Sequence, residues 1–309
     1  MAGRLSVSSR PVVGGPRSRA AVVSIISNSF LILLKLVAGA VTGSVAILTE
    51  AIHSAIDLLA SVVAFFSVRQ AEEPPDLGHR YGHEKFENVA AGVEGMLILV
   101  GSGVIVYAAA RQLVTGAEIE SIGFGIAVVA FAAAANLVIS TWLARQARMH
   151  ESPALEADAA HLRADAFTSC GVLVGLALVQ WTGATWIDPL VALLIGVSIV
   201  VTGVRLVRGS WRQLVDESLP PPEIELICDV VESFSVRDVA GFHKLRTRKA
   251  GRVRYVDLHV QFREGTSLEG AHATAHALQD AIRDRLAGAD VLIHLEPEDR
   301  VRTDGLSAG

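Results

Sequence analysis

Six stretches between residues 20 and 208 each run predominantly apolar for about twenty residues or more: 20–42, 45–68, 87–112, 121–144, 157–181 and 187–208. Few folds accept such a pattern. About 20 apolar residues in a helix match the roughly 30 Å hydrocarbon core of a bilayer. Inside lipid every backbone N–H and C=O needs a partner within the protein, which a helix supplies from its own segment. The third, fourth and sixth runs are clear by hydropathy, whereas charged residues interrupt the second and fifth. With 51% hydrophobic and only 19% charged residues, the 309-residue chain has too little polar surface for a soluble protein of its size. Its net charge of −5 gives no support to nucleic-acid binding. Cys170 and Cys228 lie in very different segments and read as free thiols, without a disulfide framework or a CxxC metal site.

The connections between the runs set an orientation. Arg69, Arg80 and Lys85 lie between the second and third runs, Arg145 and Arg148 between the fourth and fifth, and Arg205, Arg208 and Arg212 at the end of the sixth. The alternate connections hold no Lys or Arg, only Glu118 and Glu120 in one and no charge in the other. By the positive-inside rule the basic side is cytoplasmic, so both termini face the cytoplasm; the cell (inner) membrane is the expected location. Residues 1–19 carry Arg4, Arg10, Arg17 and Arg19 and no acid, and lack the apolar core of a cleaved signal peptide. They read as a disordered cytoplasmic arm, an Arg- and Ser-rich transit peptide being the alternative.

The expected organisation is a transmembrane domain over 20–212, a cytoplasmic domain over 213–299 and a disordered tail over 300–309. Pro220, Pro221 and Pro222 break any helix leaving the membrane. Beyond them the patterning predicts a helix over 223–234, a strand pair over 239–247 and 252–262, a helix over 268–286 and a strand over 290–296. This α-β-β-α-β order makes a small α+β domain with its helices on one face of a sheet.

The charges inside the apolar runs carry the chemistry. His53 and Asp57 lie in the second run and His161 and Asp165 in the fifth. Each pair is spaced i, i+4, which puts both side chains on one helix face, one turn apart. A buried carboxylate in a bilayer costs a few kcal/mol or more unless compensated. If the two faces meet, two imidazoles and two carboxylates form a tetrahedral N₂O₂ site suited to Zn²⁺. The alternative is a polar helix–helix contact with each His bonded to an Asp. Asp158 reads as a solvated carboxylate near a helix end, Lys35 as a side chain that snorkels, and Asp188, before Pro189, as a helix cap.

Further candidates lie outside the apolar runs. The loop DLGHRYGHEK at 76–85 offers Asp76, His79 and His83, with Gly78 and Gly82 allowing it to fold tightly around an ion. A solvated loop is the alternative, and the spacing is not the HExxH of a zincin hydrolase. In the 252–262 strand, Val256, Leu258, Val260 and Phe262 share one face, which turns His259 to the other. His294 and Glu296 share a face of the last strand, opposite Val291, Ile293 and Leu295. With His243, and with His272 and His276 one helical turn apart, these residues form a candidate cluster for one or two metal ions.

HSAID at 53–57, DLGHRYGHEKFE at 76–87, ADAAHLRAD at 157–165, WIDP at 186–189 and DVLIHLEP at 290–297 together resemble the cation diffusion facilitator family, in particular its bacterial dimeric zinc-efflux members. The resemblance covers about 24–297. It implies a homodimer with six spans per subunit and a metallochaperone-like cytoplasmic domain. It implies a transport site of His53, Asp57, His161 and Asp165, and a loop site of Asp76, His79 and His83. It further implies a binuclear cytoplasmic site of His243, His259, His272, His294 and Glu296, and an inter-subunit charge contact at Lys85 and Asp216. The chain has His53 where some members have Asp, and Glu296 where Asp is more usual; His276 has no clear family role.

The expected function is export of a divalent cation from the cytoplasm by alternating access, driven by proton exchange. Zn²⁺ needs neutral imidazole and ionised carboxylate, so metal and protons compete for the same ligands. Two imidazoles favour Zn²⁺ over Mg²⁺ and Ca²⁺, with Cd²⁺, Co²⁺, Fe²⁺ or Ni²⁺ as alternatives. A membrane metal sensor that moves no ions is the main rival reading. An intramembrane metalloenzyme is weaker, since four protein ligands leave no open metal position.

Overall fold

The computed structural model describes residues 15–42, 45–115, 125–236 and 238–298. Six long helices come first: α1 (Pro16–Thr42), α2 (Val45–Ala71), α3 (Lys85–Thr115), α4 (Gly125–His150), α5 (Pro153–Thr182) and α6 (Ile187–Leu214). A smaller set follows: α7 (Pro221–Ser233), β1 (Val239–Ala250), β2 (Val253–Phe262), α8 (Leu268–Arg285) and β3 (Ala289–Pro297). The chain divides into two compact units at Arg208 and Gly209, slightly before the boundary expected at 212.

In the first unit, α1, α3, α4, α5 and α6 are each long and apolar enough to cross a membrane. The sixth expected span is α2, 27 residues long, whose described apolar stretch is Leu58–Ala71. Large apolar side chains such as Leu33, Val100, Phe131 and Leu194 point outward. The interior is made largely of small ones, among them Ala20, Ala21, Ala64, Ala90, Ala154 and Ala159. Lipid tails are as apolar as leucine, so spanning helices associate through close packing of small residues.

Several helix ends differ from the apolar runs because caps, not hydropathy, decide where a helix begins. α5 starts at Pro153, where Ser152 as N-cap accepts a hydrogen bond from the Leu155 N–H. α4 continues to His150, so Arg145 and Arg148 are helical. Its expected start at 121–124 lies outside the described residues. α1 starts at Pro16, so Arg17 and Arg19, assigned to the arm by sequence, are helical, and Arg17 is buried. Residues 1–14 and 299–309 also lie outside the described set.

The second unit has the α-β-β-α-β order read from the sequence. Its sheet runs β1-β2-β3, with β1 and β2 antiparallel and β2 and β3 parallel. The hairpin turns at Gly251, where φ is +55°, a conformation that glycine adopts without a Cβ penalty. Pairing of Ala250 with Val253 carries β1 past its expected end at Thr247. Val256, Leu258, Val260 and Phe262 of β2 are buried against Ile227 and Val231 of α7 and Leu278 and Ile282 of α8. Both helices therefore cover one face and leave the other to the polar residues that alternate with this apolar set.

Candidate metal centres

The open face of the sheet carries a row of histidines. Antiparallel pairing sets His243 opposite His259, and parallel pairing sets His259 opposite His294. Glu296, two residues beyond His294, returns to the same face and reaches across the strands. One carboxylate oxygen lies 2.8 Å from His243 Nε2 and the other 2.6 Å from His259 Nδ1. His294 Nε2 is 3.6 Å from Glu296 Oε1. Burial pushes the Glu296 carboxyl up, but the hydrogen bonds and charges of His259 and His243 outweigh it and hold the group below its ordinary range. An ionised Glu296 accepts from both rings, which fixes their N–H groups on Nε2 of His243 and Nδ1 of His259. The ligand atoms of His243, His259 and Glu296 lie within 4.8 Å of one another. Two imidazoles and a carboxylate at this spacing fit a borderline cation such as Zn²⁺.

The fifth residue of the expected cluster lies elsewhere. His272 is on α8, which packs on the opposite face of the sheet, and its Nε2 is 3.2 Å from Nε2 of His276. His276, which the sequence placed in the candidate cluster but without a clear family role, is the neighbour of His272 on the exposed side of the helix.

The loop residues converge as well. The N–H groups of Gly78 and His79 donate to Asp76 Oδ1 at 2.8 and 2.6 Å. The Gly82 N–H closes the turn on the His79 carbonyl at 2.9 Å, with Gly82 at φ +85°. His79 Nδ1 and His83 Nε2 are each 3.5 Å from the Asp76 carboxylate, and the three residues' ligand atoms lie within 4.8 Å of one another. The His79 backbone hydrogen bond is the main cause that holds the Asp76 carboxyl below its ordinary range, so the carboxylate is ionised and ready to accept a cation.

Within the membrane unit, α5 presents His161 and Asp165 one turn apart, with Nε2 to Oδ2 at 3.8 Å. His161 is buried and Asp165 half-buried. The side chains of His53 and Asp57 lie outside the described set; their helix, α2, packs against α5. Three sequence readings are corrected here. Asp158 is not a solvated helix-end carboxylate: it is 1% exposed, and its Oδ1 accepts from Ser61 Oγ at 2.9 Å. α2 covers the turn of α5 that hydropathy placed at the interface. Lys35 does not snorkel; it is buried and donates to Ser54 Oγ at 2.7 Å, because a partner on α2 is nearer than water. Asp188 lies inside the first turn of α6 and packs against Gly175 of α5, two residues past the capping position. Asp216 pairs with Arg248 of its own chain at 3.4 Å, and Lys85 opens α3.

Two polar features were missed in the sequence. Arg17 is clasped by Glu84 and Glu87, with Nη1 at 2.9 and 2.5 Å from them, and Ser152 donates to the other Glu87 oxygen. Glu94, in α3, is fully buried. The signal for both was an acid inside the third apolar run, hidden by that run's high overall hydropathy.

A bundle of apolar helices with acids and imidazoles in its interior, followed by a small α+β domain with a histidine row, defines a membrane cation transporter. The family of the cation efflux transmembrane domain matches residues 21–215, and that of the cation efflux protein cytoplasmic domain matches 219–298. The chain belongs to the cation diffusion facilitator family. It is 37% identical to the uncharacterized transporter sll1263 of Synechocystis sp. over 264 residues, 85% of each chain. To the cation-efflux pump FieF of Citrobacter koseri it is 33% identical over 288 residues, 93% of this chain and 95% of that one. A solved structure of the zinc form of CzrB shares 34% identity, covering 28% of this chain and 99% of that chain, with a TM-score of 0.27. The protein is thus a multi-pass cation-efflux transporter, a member of a transporter family.

Proposed function

We propose that the protein exports a divalent metal cation, Zn²⁺ foremost, from the cytoplasm in exchange for protons. The carrying observation is the His161–Asp165 pair one turn apart on α5, inside the membrane unit, with the same HxxxD spacing repeated at His53 and Asp57 on a helix packed against α5. Two imidazoles and two carboxylates bind Zn²⁺ only when deprotonated, so an inward proton gradient would drive release on the far side. The ligand types also admit Cd²⁺, Co²⁺ and Fe²⁺.

In this reading the protein works as a homodimer in the cell (inner) membrane with both termini cytoplasmic, in keeping with the basic loops. Lys85 and Asp216 serve its inter-subunit charge contact. Asp76, His79 and His83 form a loop metal site. His243, His259, His294 and Glu296 form a cytoplasmic one that senses abundant metal, with His272 outside it on the helix-covered face of the sheet.

The test is Zn²⁺ flux in proteoliposomes under an imposed pH gradient, comparing wild type with Asp165→Ala. Gradient-dependent flux that disappears in the variant is expected. Flux without any dependence on the gradient would refute the proton coupling. No flux in wild type despite tight Zn²⁺ binding would favour the sensor reading, and repeating with Cd²⁺, Co²⁺ and Fe²⁺ separates that from a wrong metal.

A further inference from the structure

Two acids deep in the membrane unit are left over by the sites above. Glu94 of α3 is 0% exposed, and neither of its carboxylate oxygens meets a hydrogen-bond donor among the described residues. Asp158 of α5 is 1% exposed; Ser61 serves its Oδ1, while its Oδ2 has no donor among the described residues. The charges of Asp158 and His161 act on Glu94, and that of His161 acts on Asp158, where α3 packs on α5. The Ser61 hydroxyl accepts from Asn28 Nδ2 at 2.8 Å, which orients it toward Asp158.

The Arg17 knot shows how the same unit treats buried acids that it neutralises permanently. There Glu84 and Glu87 receive a guanidinium. Glu94 and Asp158 receive none: His161 is the one cationic-capable side chain acting on Glu94 among the described residues. Two buried carboxyl groups with three oxygens unserved are costly as charges unless a proton or a cation joins them. Asp158 also precedes His161 by one helical turn, toward the N-terminal end of α5.

We propose that Glu94 and Asp158 form a second intramembrane binding station for the divalent cation, one turn from the His161–Asp165 pair. Its role as a waypoint rests on the transport reading above; its binding of metal does not. The donors are carboxylate oxygens with the Ser61 hydroxyl alongside. An all-oxygen set binds Zn²⁺ less tightly than one with two imidazoles. Such a station takes a partly hydrated ion and gives it up to the stronger site.

The test counts Zn²⁺ bound per chain by equilibrium dialysis of the full-length protein in detergent, for wild type, Glu94→Gln, Asp165→Ala and the double variant. Glu94→Gln is expected to lose one Zn²⁺ per chain, Asp165→Ala one, and the double variant two. Unchanged Zn²⁺ stoichiometry in Glu94→Gln overturns the station. In that case a shifted pH profile of flux assigns Glu94 to protons alone, and a lower metal-free melting temperature assigns it to structure alone. Loss of one ion in Glu94→Gln but none in Asp165→Ala would keep the station and refute the transport site instead. If Glu94→Gln fails to fold, Asp158→Asn carries the same expectation.

Discussion

Arg17 is buried among three carboxylates, its Nη1 bonding Glu84 and Glu87 and its Nε lying 3.7 Å from Glu72. Nη1 and Nη2 both engage Glu84, at 2.9 and 3.3 Å, a forked geometry that an ammonium cannot copy. Removing one partner of a buried ion pair strands the other charges. Arg17→Met is therefore expected to destabilise the membrane unit by about 3–5 kcal/mol, read as a lower melting temperature in detergent. Arg17→Lys should recover only part of the loss. Equal stability of Arg17→Met and wild type would show that the knot contributes nothing net. A contrasting residue is Cys228, half-buried on α7. Burial first, then the carboxylates of Glu232, Asp229 and Glu225, raise its thiol above the ordinary value of 9.0. The thiolate is the reactive form, and a raised value leaves less of it at any given pH. Alkylation at neutral pH should therefore be slower than for a small free thiol, and its rate should go on rising with pH beyond the point at which that of the free thiol levels off. Rapid maleimide labelling at neutral pH would contradict it.

At the scale of elements, strand β2 separates stability from chemistry within a few residues. Leu258 is 1% exposed on the helix-covered face, whereas His259 stands on the other face in the histidine row. Leu258→Ala should cost about 2–5 kcal/mol, the range for a large-to-small change in a packed core. His259→Ala should leave the metal-free melting temperature nearly unchanged and weaken Zn²⁺ binding. Thermal melts with and without chelator check both, and a large metal-free loss in His259→Ala would place that ring in the fold rather than in a site. Among the spanning helices the analogous device is glycine. A Cβ on Gly203 of α6 would lie 2.8 Å from Leu99 Cγ and 3.2 Å from the Gly95 carbonyl oxygen of α3, so these two backbones approach only because neither residue has a side chain.

At the scale of the molecule, the second unit carries its own metal-ligating row, and a ligand that binds only the folded state stabilises it by mass action. At a free Zn²⁺ concentration about a hundred times the dissociation constant, the gain is about 2.7 kcal/mol. Adding Zn²⁺ should raise the unfolding temperature of this unit and a chelator should reverse it. Glu296→Ala should remove most of the effect, because Glu296 is the group that touches both His243 and His259. A Zn²⁺ response that survives Glu296→Ala would move the site to the His272–His276 pair or to the loop.

Local periodicity was enough to read the six apolar runs, the α-β-β-α-β order, the two HxxxD pairs and the strand alternation that turned His259 away from the core. These are one-dimensional signals, because the helix and strand repeats alone decide which face a residue takes. Packing settled what depends on neighbours distant in the chain. Asp158 looked solvated until α2 brought Ser61 against it, and Lys35 looked ready to snorkel until Ser54 came within 2.7 Å. The Arg17 knot joins residues separated by 67 and 70 positions, and Glu94 comes under the charge of Asp158 only because α3 and α5 pack together. A carboxylate's cost and purpose inside a membrane depend on what stands opposite it, and hydropathy, which sums along the chain, carries no record of that partner.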